Sequence, residues 1–369
     1  MSAKVARKVV ESLDKSITEE DLGVPFFGDP RYITYPLTKE GFRIIKDVIS
    51  NRKIAFVDGG NQEVLGAPNF SIQLNRVYCC LFDGKVRMPI NSLPNRIEFL
   101  SLTHSVFRSN DIFYETSLFP LIDEFHDLLP DELDLSFSSS ERSVTVGTMR
   151  ADISRVASIA RRFSEWAYAS SIIKKELDEG DILVMDGSLQ TAFKNESKYS
   201  KRVYEEADSH GIIVTGLSKT SHLFTTTGLS LIGAVKKLAD DAGIQGKWYF
   251  KVAEARSSDH NAVIFVTKFS HNGDYAFRYE VYRDHFLKLK DGEINEIFSQ
   301  LSKNSVDVSF PGYPYGLIDA DYFGKVRKDD VERFQVLILS EISKLGKWKK
   351  FARHIRASDA HAVLDMLEG

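Results

Sequence analysis

The sequence predicts an α/β protein with a mixed β-sheet and flanking helices, elaborated by insertions. Apolar strands alternate with amphipathic helices between residues 149 and 242, and this order favours parallel pairing of the strands. Residues 70 to 119 are instead rich in β-branched and aromatic residues and contain the turn dipeptide Asp83-Gly84. These residues therefore predict an antiparallel meander beside the parallel strands.

The first 52 residues are predicted to form an N-terminal helical segment. Helical spacing of apolar residues covers residues 3–14 and 39–51, and the run KIAFVDGG then reads as a buried strand. Asp58 is therefore expected at the end of a strand. Residues 118–150 are polar and Ser-rich, and we interpret them as an insertion, either a surface loop or a boundary.

The rest of the chain continues the alternation of strands and helices. In chain order, the sequence predicts a helix over 149–177, a strand over 181–189, a helix over 199–208, a strand over 211–219, a helix over 230–242, the strands KWYFKVAEAR, NAVIFVTKF and YAFRYEVYR, and helices near 291–302, 328–355 and 358–368. Residues 310–316, FPGYPYG, contain too much Pro and Gly for a regular element.

Composition excludes several classes of protein. The 369 residues are 43% hydrophobic and 27% charged with a net charge of −4, which is typical of a globular protein with about two domains or one elaborated domain. No apolar run approaches the roughly 20 residues of a membrane helix, so we expect a cytoplasmic protein without membrane contact. The two cysteines, Cys79 and Cys80, are adjacent, which excludes a disulfide framework and a four-ligand zinc site.

Two motifs, FVDGG and VMDGSL, each place an aspartate followed by glycine after an apolar strand. These aspartates are Asp58 and Asp186. Turn preference alone explains either motif, but two carboxylates at one sheet edge repel each other unless a cation lies between them. Oxygen ligands suit Mg²⁺ or Mn²⁺, and a pair of such ions supports phosphodiester hydrolysis.

A two-metal site requires a third acidic residue, and two candidates remain open. Glu165 lies on the helix that precedes Asp186, in RRFSEWAYA, and is the preferred candidate because that helix returns the chain to the same sheet edge. Glu115, in DIFYETSLF, is the reserve. Either residue is equally well explained as a solvated or ion-paired carboxylate.

Two basic side chains are further candidates for the site. Lys219 follows the strand GIIVTGLS, next to the predicted position of Asp186, where its charge can hold a phosphate. His361, in SDAHAVLDMLE, lies on a short helix near the C-terminus. An exposed lysine and a packing histidine are the alternative interpretations.

A basic stripe close to the C-terminus predicts a DNA-binding surface. The segment KLGKWKKFARHIR combines six basic residues with aromatic ones and contains no acid. Such a stripe can bind phosphates and stack on bases, although a solvated helix face explains it as well. The residues predicted to bind DNA here are Lys344, Lys347, Trp348, Lys349, Lys350, Arg353 and Arg356.

The order of the motifs resembles the NurA family of archaeal and bacterial DNA-end-processing nucleases. FVDGG, VMDGSL, GLSK, FPGYPYGLIDADYFGKV and DAHAVLD follow one another from about Ile54 to Leu364. The resemblance implies an RNase H-like fold, with a NurA-like nuclease domain over residues 53–369. It implies metal-dependent, preferentially Mn²⁺-dependent, cleavage of DNA from 5′ ends and single-strand endonuclease activity in double-strand-break end resection. It also implies a homodimer that docks on a hexameric HerA-type translocase.

Carried over to this sequence, the resemblance implies roles for individual residues. Asp58 and Asp186 become metal ligands, and Lys219 and His361 become phosphate-facing or proton-handling groups. Tyr313 and Tyr315 match the family's Gly-Tyr-Pro-Tyr segment, where they would line the DNA channel or support His361, although packing explains both tyrosines equally well. The third ligand is matched to Glu165 only if extra helix precedes the second strand.

Two other functions are compatible with the same motifs. An actin-like phosphotransferase or ATPase also uses Asp-Gly turns at two strand tips, but the sequence contains no P-loop and no late Gly-Gly nucleotide pocket. A catalytically silent DNA-binding adaptor of a translocase is the second alternative. The presence of both Asp58 and Asp186 favours the nuclease.

Overall fold

The computed structural model describes residues 3 to 358 of the chain. The α-helices in this part are α1 (Ala3–Ser16), α2 (Ile153–Ala157), α3 (Ile159–Glu176), α4 (Glu196–His210), α5 (Leu231–Asp241), α6 (Arg283–Phe286), α7 (Asp291–Asn304), α8 (Tyr315–Gly324), α9 (Lys328–Lys344) and α10 (Trp348–Ser358). Short 3₁₀ helices cover Lys39–Gly41, Asp123–Leu128 and Glu132–Leu135. None of the helices between residues 3 and 358 combines the length and the apolar character that crossing a bilayer requires.

The strands form one large mixed sheet and one small ribbon. They are β1 (Pro25–Phe26), β2 (Tyr32–Thr34), β3 (Phe42–Ile44), β4 (Lys53–Ala67), β5 (Phe70–Asp83), β6 (Val86–Met88), β7 (Arg96–Arg108), β8 (Asp111–Pro120), β9 (Phe137–Ser138), β10 (Ile182–Asp186), β11 (Ile213–Ser218), β12 (Phe224–Thr225), β13 (Trp248–Arg256), β14 (Asn261–Lys268) and β15 (Phe277–Tyr282). The main path through the large sheet is β2-β13-β14-β15-β11-β10-β4-β5-β7-β8-β9, while β1 and β12 pair separately.

Parallel pairing is confined to the middle of the large sheet. Strand β10 pairs in parallel with both β4 and β11, and the other strand pairs of the sheet are antiparallel. The predicted mixed sheet with flanking helices is confirmed, as is the antiparallel meander formed by β5 to β8. The helices α3 and α4 are the crossovers that make the parallel pairing possible.

Alternating side chains of β4 bury both faces of the sheet. Ile54 and Phe56 belong to a core with residues of α7 and α8, whereas Ala55 and Val57 belong to a core with residues of α3. This alternation follows from the period of two residues in a strand. The next residue on the face of Ile54 and Phe56 is Asp58, so its side chain points toward α8.

Helix α8 lies unusually close to β4 because glycines remove side chains at the contact. A Cβ atom on Gly316 would overlap the ring of Phe56, and a Cβ atom on Gly324 would lie 3.3 Å from the carbonyl oxygen of Asp58. A Cβ atom on Gly60 would lie 2.7 Å from the carbonyl oxygen of Gly324. The start of α8 therefore packs directly on the ring of Phe56, and its end lies against the backbone of β4.

The predicted helix over residues 39–51 is wrong. After the 3₁₀ turn, residues 42–44 form β3, which pairs with β13, and Phe42 and Ile45 are buried. Ile49 is 97% exposed, so the apolar residues do not share one helix face. Pairing with a sheet edge outweighs the helical spacing here. Residues 1–52 are thus helical mainly in α1, and the predicted domain division after residue 52 stays a prediction.

Residues 118–150 contribute to the core of the protein. They form the end of β8, two 3₁₀ helices, β9 and a loop, and bury Leu128, Leu135, Phe137 and Val144 against α2 and α3. The segment is polar in composition but is not a surface loop.

Some element boundaries also differ from the predictions. The helix predicted over 149–177 begins at Ile153 and is divided into α2 and α3. Residues 328–355 form two helices, because Gly346, with φ of 65°, separates α9 from α10. The predicted irregular segment 310–316 ends two residues early, since Tyr315 begins α8. The predicted helix over 358–368 lies outside the described residues apart from Ser358.

We predict that Gly316→Ala destabilises the protein, because the new methyl group overlaps the buried ring of Phe56. The free energy of unfolding, measured by urea titration, should fall by about 1–3 kcal/mol. Gly292→Ala is the matched control, since Gly292 lies in the first turn of α7 with open space around it. The control should change stability by less than about 1 kcal/mol. Equal effects of the two substitutions would contradict the proposed packing constraint.

Candidate metal centre

Two aspartates lie side by side at the sheet edge where β10 ends. Met185 of β10 pairs with Val57 of β4, so the next residues of the two parallel strands are Asp186 and Asp58. Strand β10 ends at Asp186, whereas β4 continues to Ala67 as a ribbon with β5. The expectation that Asp58 ends its strand is therefore wrong. Asp58 lies within a strand, beside the end of a shorter neighbour.

Helix α8 contributes a third aspartate, Asp321. One carboxylate oxygen from each of Asp58, Asp186 and Asp321 lies within 4.8 Å of the others. Asp58 is buried and Asp321 is exposed, so the group is open to solvent on one side. Three carboxylate oxygens at this spacing fit a divalent cation such as Mn²⁺ or Mg²⁺, for which oxygen ligands about 2.1 Å from the metal are typical. We refer to these three residues as the aspartate cluster.

Sequence reasoning missed Asp321. It lies in the segment FPGYPYGLIDADYFGKV, which carries part of the family resemblance, between the two glycines that dock α8 on β4. The spacing of the two glycines was the available signal that this helix lies against the strand that carries Asp58.

Lys219 lies among the three carboxylates. Its Nζ atom is 2.7 Å from Asp321 Oδ1, 3.0 Å from Asp186 Oδ2 and 3.9 Å from Asp58 Oδ2. Burial alone would lower the pKa of Lys219, but the adjacent carboxylates of Asp186, Asp321 and Asp58 outweigh it and raise that pKa. The ammonium group therefore stays charged and offsets part of the negative charge of these carboxylates.

Asp58 is the most strongly perturbed carboxylate of the cluster. Burial, followed by the negative charges of Asp186 and Glu165, raises the pKa of Asp58 to about 8, against the opposing effect of Lys219. A carboxyl group in this position gains from any further cation that approaches it. Perturbation of this kind, in an open cleft, is typical of functional sites.

The two predicted tyrosines have different surroundings. Tyr313 is buried, and its hydroxyl group donates a long hydrogen bond of 3.4 Å to Asp186 Oδ1. Burial and the adjacent aspartates raise the pKa of Tyr313, so the hydroxyl group keeps its proton. Tyr315 is 40% exposed and packs edge-on against Phe82. Only Tyr313 touches the aspartate cluster.

Glu165 lies on the opposite face of β4 from the aspartate cluster. It is buried on α3 and forms ion pairs with Arg161 and Arg162. A Cβ atom on Gly59 would lie 2.8 Å from its Oε1 atom, so the carboxylate is pressed against the backbone of β4. Burial raises the pKa of Glu165 and the two arginines oppose that rise. The role of Glu165 as a metal ligand stays a prediction.

The structure does not bring Glu115 to the aspartate cluster. Glu115 lies on β8, three strands away from β4 in the sheet, and its row of the sheet runs through His104 and Phe70 to Ala67. Its carboxylate pairs with Arg108 at 2.6 Å.

The loop after Asp186 is held between two buried ionic networks. On one side, Glu280 accepts hydrogen bonds from Leu189 N at 2.9 Å and from Ser188 Oγ at 3.2 Å. On the other side, Arg162 donates to the carbonyl oxygen of Ser188 at 3.2 Å. Glu280 itself is completely buried with His260 and Arg278 as partners. These contacts fix the position of the Asp186 backbone.

The predicted basic stripe lies on α9 and α10, away from the cluster. Helix α10 packs through Phe351 against the far end of the β4-β5 ribbon, where Leu65 and Phe70 are buried. Trp348 is 43% exposed. Lys344, Lys347, Lys349, Lys350 and Arg353 are exposed, and Arg356 lies in the last turns of the helix. His361 lies outside the described residues.

Comparisons with known proteins identify the family. The model of the NurA domain family matches residues 52–323. Among solved structures, the chain is similar to one described as the crystal structure of NurA, with 7% identity, a TM-score of 0.42, and coverage of 87% of this chain and 92% of that chain. Two structures of Aquifex aeolicus Argonaute are also similar. The first has 8% identity and a TM-score of 0.27, and the match covers 74% of this chain and 28% of that chain. The second has 9% identity and a TM-score of 0.29, and the match covers 75% of this chain and 29% of that chain.

No curated protein matches the chain. The family match, however, extends over well more than half of the 369 residues and includes all three aspartates of the cluster. The chain therefore belongs to the NurA domain family.

Proposed function

We propose that this protein is a metal-dependent DNA nuclease of RNase H-like fold that acts in double-strand-break end resection. Membership of the NurA domain family suggests a nuclease of DNA end processing. The observation that carries the proposal is the aspartate cluster, with its three carboxylate oxygens within 4.8 Å of one another. The proposed activities are 5′ to 3′ exonuclease and single-strand endonuclease.

The proposed reaction is two-metal phosphodiester hydrolysis without a covalent intermediate. Asp58, Asp186 and Asp321 would hold Mn²⁺ or Mg²⁺, with Glu165 behind β4 as the alternative ligand. Bound ions of this type polarise the phosphodiester and make water a better nucleophile. The chain orients its ligands through the fixed loop after Asp186 and through α8.

Lys219 and Tyr313 supply the other groups near the reacting phosphate. The ammonium group of Lys219 stays protonated and provides positive charge for a phosphate that approaches the cluster. The hydroxyl group of Tyr313 keeps its proton and donates to Asp186. His361 remains a proposed proton-handling group.

The proposed partners follow from the family resemblance. They are single-stranded and double-stranded DNA ends, a second copy of this chain in a homodimer, and a hexameric HerA-type translocase. Lys344 to Arg356 are the proposed DNA contact outside the cleavage site.

We predict that Asp58→Ala removes cleavage and leaves the fold intact, because it deletes a ligand from the cluster. The measurement is cleavage of end-labelled single- and double-stranded DNA with Mn²⁺, Mg²⁺ or EDTA, with circular dichroism as the check on folding. Asp329→Ala, at an exposed position of α9, is the matched control and should keep full activity.

The control outcomes separate the candidate functions. Failure of the unmodified protein to cleave DNA, even with a cognate translocase, would favour the adaptor function. ATP hydrolysis without DNA cleavage would favour the phosphotransferase function. If the Asp58→Ala variant unfolds, its loss of activity would not show that Asp58 acts in cleavage. The cleavage assay would then be repeated with Asp58→Asn.

We predict that Asp321→Asn weakens Mn²⁺ binding by roughly 10- to 100-fold, because it removes one of three charged ligands. Glu165→Gln should change Mn²⁺ affinity much less and should lower the free energy of unfolding by about 1–3 kcal/mol, since Arg161 and Arg162 lose a charged partner. Isothermal titration calorimetry and urea unfolding measure the two effects. If Glu165→Gln weakened Mn²⁺ binding and Asp321→Asn did not, Glu165 and not Asp321 would be the third metal ligand.

We predict that Lys219→Met tightens Mn²⁺ binding by roughly 10-fold, because the ammonium group occupies the same carboxylate oxygens that a metal needs. Lys201→Met is the control, since Lys201 is exposed and pairs only with Glu205 on the surface of α4. Calorimetric titration with Mn²⁺ measures both variants. Unchanged or weaker binding in Lys219→Met would show that the lysine does not compete with the metal.

A further inference from the structure

The aspartate cluster opens into a cleft of about 710 Å³. Apart from Asp58, Asp186 and Asp321, the cleft is lined by glycine, by polar side chains and by three cationic residues. The cationic residues are Arg161, Arg162 and Lys325. The absence of aromatic and aliphatic side chains from this lining means that the cleft offers no surface for stacking bases.

Two of the three cationic residues are already neutralised. Arg161 pairs with Glu165 and donates to Asn61 Oδ1 at 3.1 Å. Arg162 pairs with Glu196 at 2.9 Å and with Glu165 at 3.5 Å. Two arginines thus pair with two buried glutamates, so the positive charges of the arginines are balanced within the protein.

Lys325 is the exception among the cations of the cleft. Its side chain is exposed and forms no ion pair or hydrogen bond with any other side chain that the structure describes. Its backbone is firmly placed, because its N–H group donates to the Asp321 carbonyl at 3.0 Å and its carbonyl accepts from Arg76 at 2.9 Å. A fixed backbone with a free ammonium group is suited to binding an anion from solution.

The position of Lys325 relative to the cluster determines which anion it meets. Lys325 follows Asp321 by four residues at the end of α8, which corresponds to about 6 Å along a helix axis. Its ammonium group therefore lies beside the cluster and not within it, where Lys219 is located. A negatively charged group held by Lys325 would neighbour the group held at the cluster.

We propose that Lys325 binds the phosphate next to the one that is cleaved, so that the cleft holds two successive phosphates of a nucleic-acid strand. This proposal rests on the proposed nuclease function and adds to it how the DNA strand is held in the cleft. Because the cleft has a polar lining and one lysine without a charged partner among the described residues, it contacts the sugar-phosphate backbone and not the bases. Binding is therefore independent of base sequence.

Binding of fluorescent single-stranded DNA in EDTA tests the proposal without requiring cleavage. Lys325→Ala should weaken binding by roughly 5- to 10-fold at low salt and reduce the slope of log affinity against log salt by about 1. Lys328→Ala is the control, because Lys328 is 86% exposed and pairs with Glu332 away from the cleft. Lys325→Arg should keep most of the affinity.

A DNA strand with one neutral methylphosphonate gives the second measurement. In the unmodified protein with Mn²⁺, a methylphosphonate next to the cleaved bond should raise KM by roughly 10-fold with little change in kcat. Lys325→Ala should already show the higher KM, and the methylphosphonate should add little to it.

The two kinds of failure are distinguishable. If the unmodified protein cleaves DNA but Lys325→Ala matches Lys328→Ala in KM and in salt slope, the phosphate contact is overturned and the nuclease stands. If the unmodified protein cleaves no DNA, the proposed function fails. The salt slope of binding then still decides whether Lys325 contacts a phosphate.

Discussion

Electrostatic repulsion among Asp58, Asp186 and Asp321 is the constraint on which the rest of the site depends. When both members are ionised, each pair of these carboxylates, with oxygens within 4.8 Å of one another, repels by at least about 3.5 kcal/mol at an effective dielectric constant of about 20. Without a cation, part of this repulsion is relieved by protonation, because the pKa of Asp58 is raised to about 8. Backbone pairing holds Asp58 and Asp186 in adjacent strands, the docking of α8 holds Asp321, and Lys219 offsets part of the charge. The same repulsion makes the site selective for cations.

The docking of α8 shows how glycine serves a functional site without any special backbone conformation. The φ angles of Gly316, Gly324 and Gly60 are not in the left-handed region, so their role is steric. Each one removes a side chain that would push α8 away from β4. A displacement of even the width of a methyl group would carry the Asp321 carboxylate away from its partners. Stability and the geometry of the aspartate cluster are therefore coupled through the same contact.

The sequence allowed prediction of those features that depend on local periodicity. Alternation of strands and helices predicted the parallel pairing of β10 with β11, the two Asp-Gly motifs predicted that Asp58 and Asp186 share a sheet edge, and the β-rich segments predicted the meander. Asp321 was not predicted, because its position depends on how an entire helix packs on the sheet. The helix expected over residues 39–51 failed for a related reason, since pairing of β3 with β13 is a long-range contact. Glu165 was correctly assigned to the crossover helix, but spacing alone does not show that it faces two arginines.

The separation between the aspartate cluster and α10 limits how DNA can contact both. Helix α10 packs near Leu65 on β4, seven residues beyond Asp58 along the strand. At about 3.3 Å per residue, this is roughly 23 Å, or about seven base pairs of duplex. If DNA binds as proposed, a short single-stranded end would fill the cleft without reaching the basic stripe, whereas a longer duplex would contact the stripe while its end lies at the cluster. Under the proposed function, the two surfaces would therefore respond differently to substrate length: the stripe would add affinity for long DNA, and the cleavage chemistry would stay in the cleft.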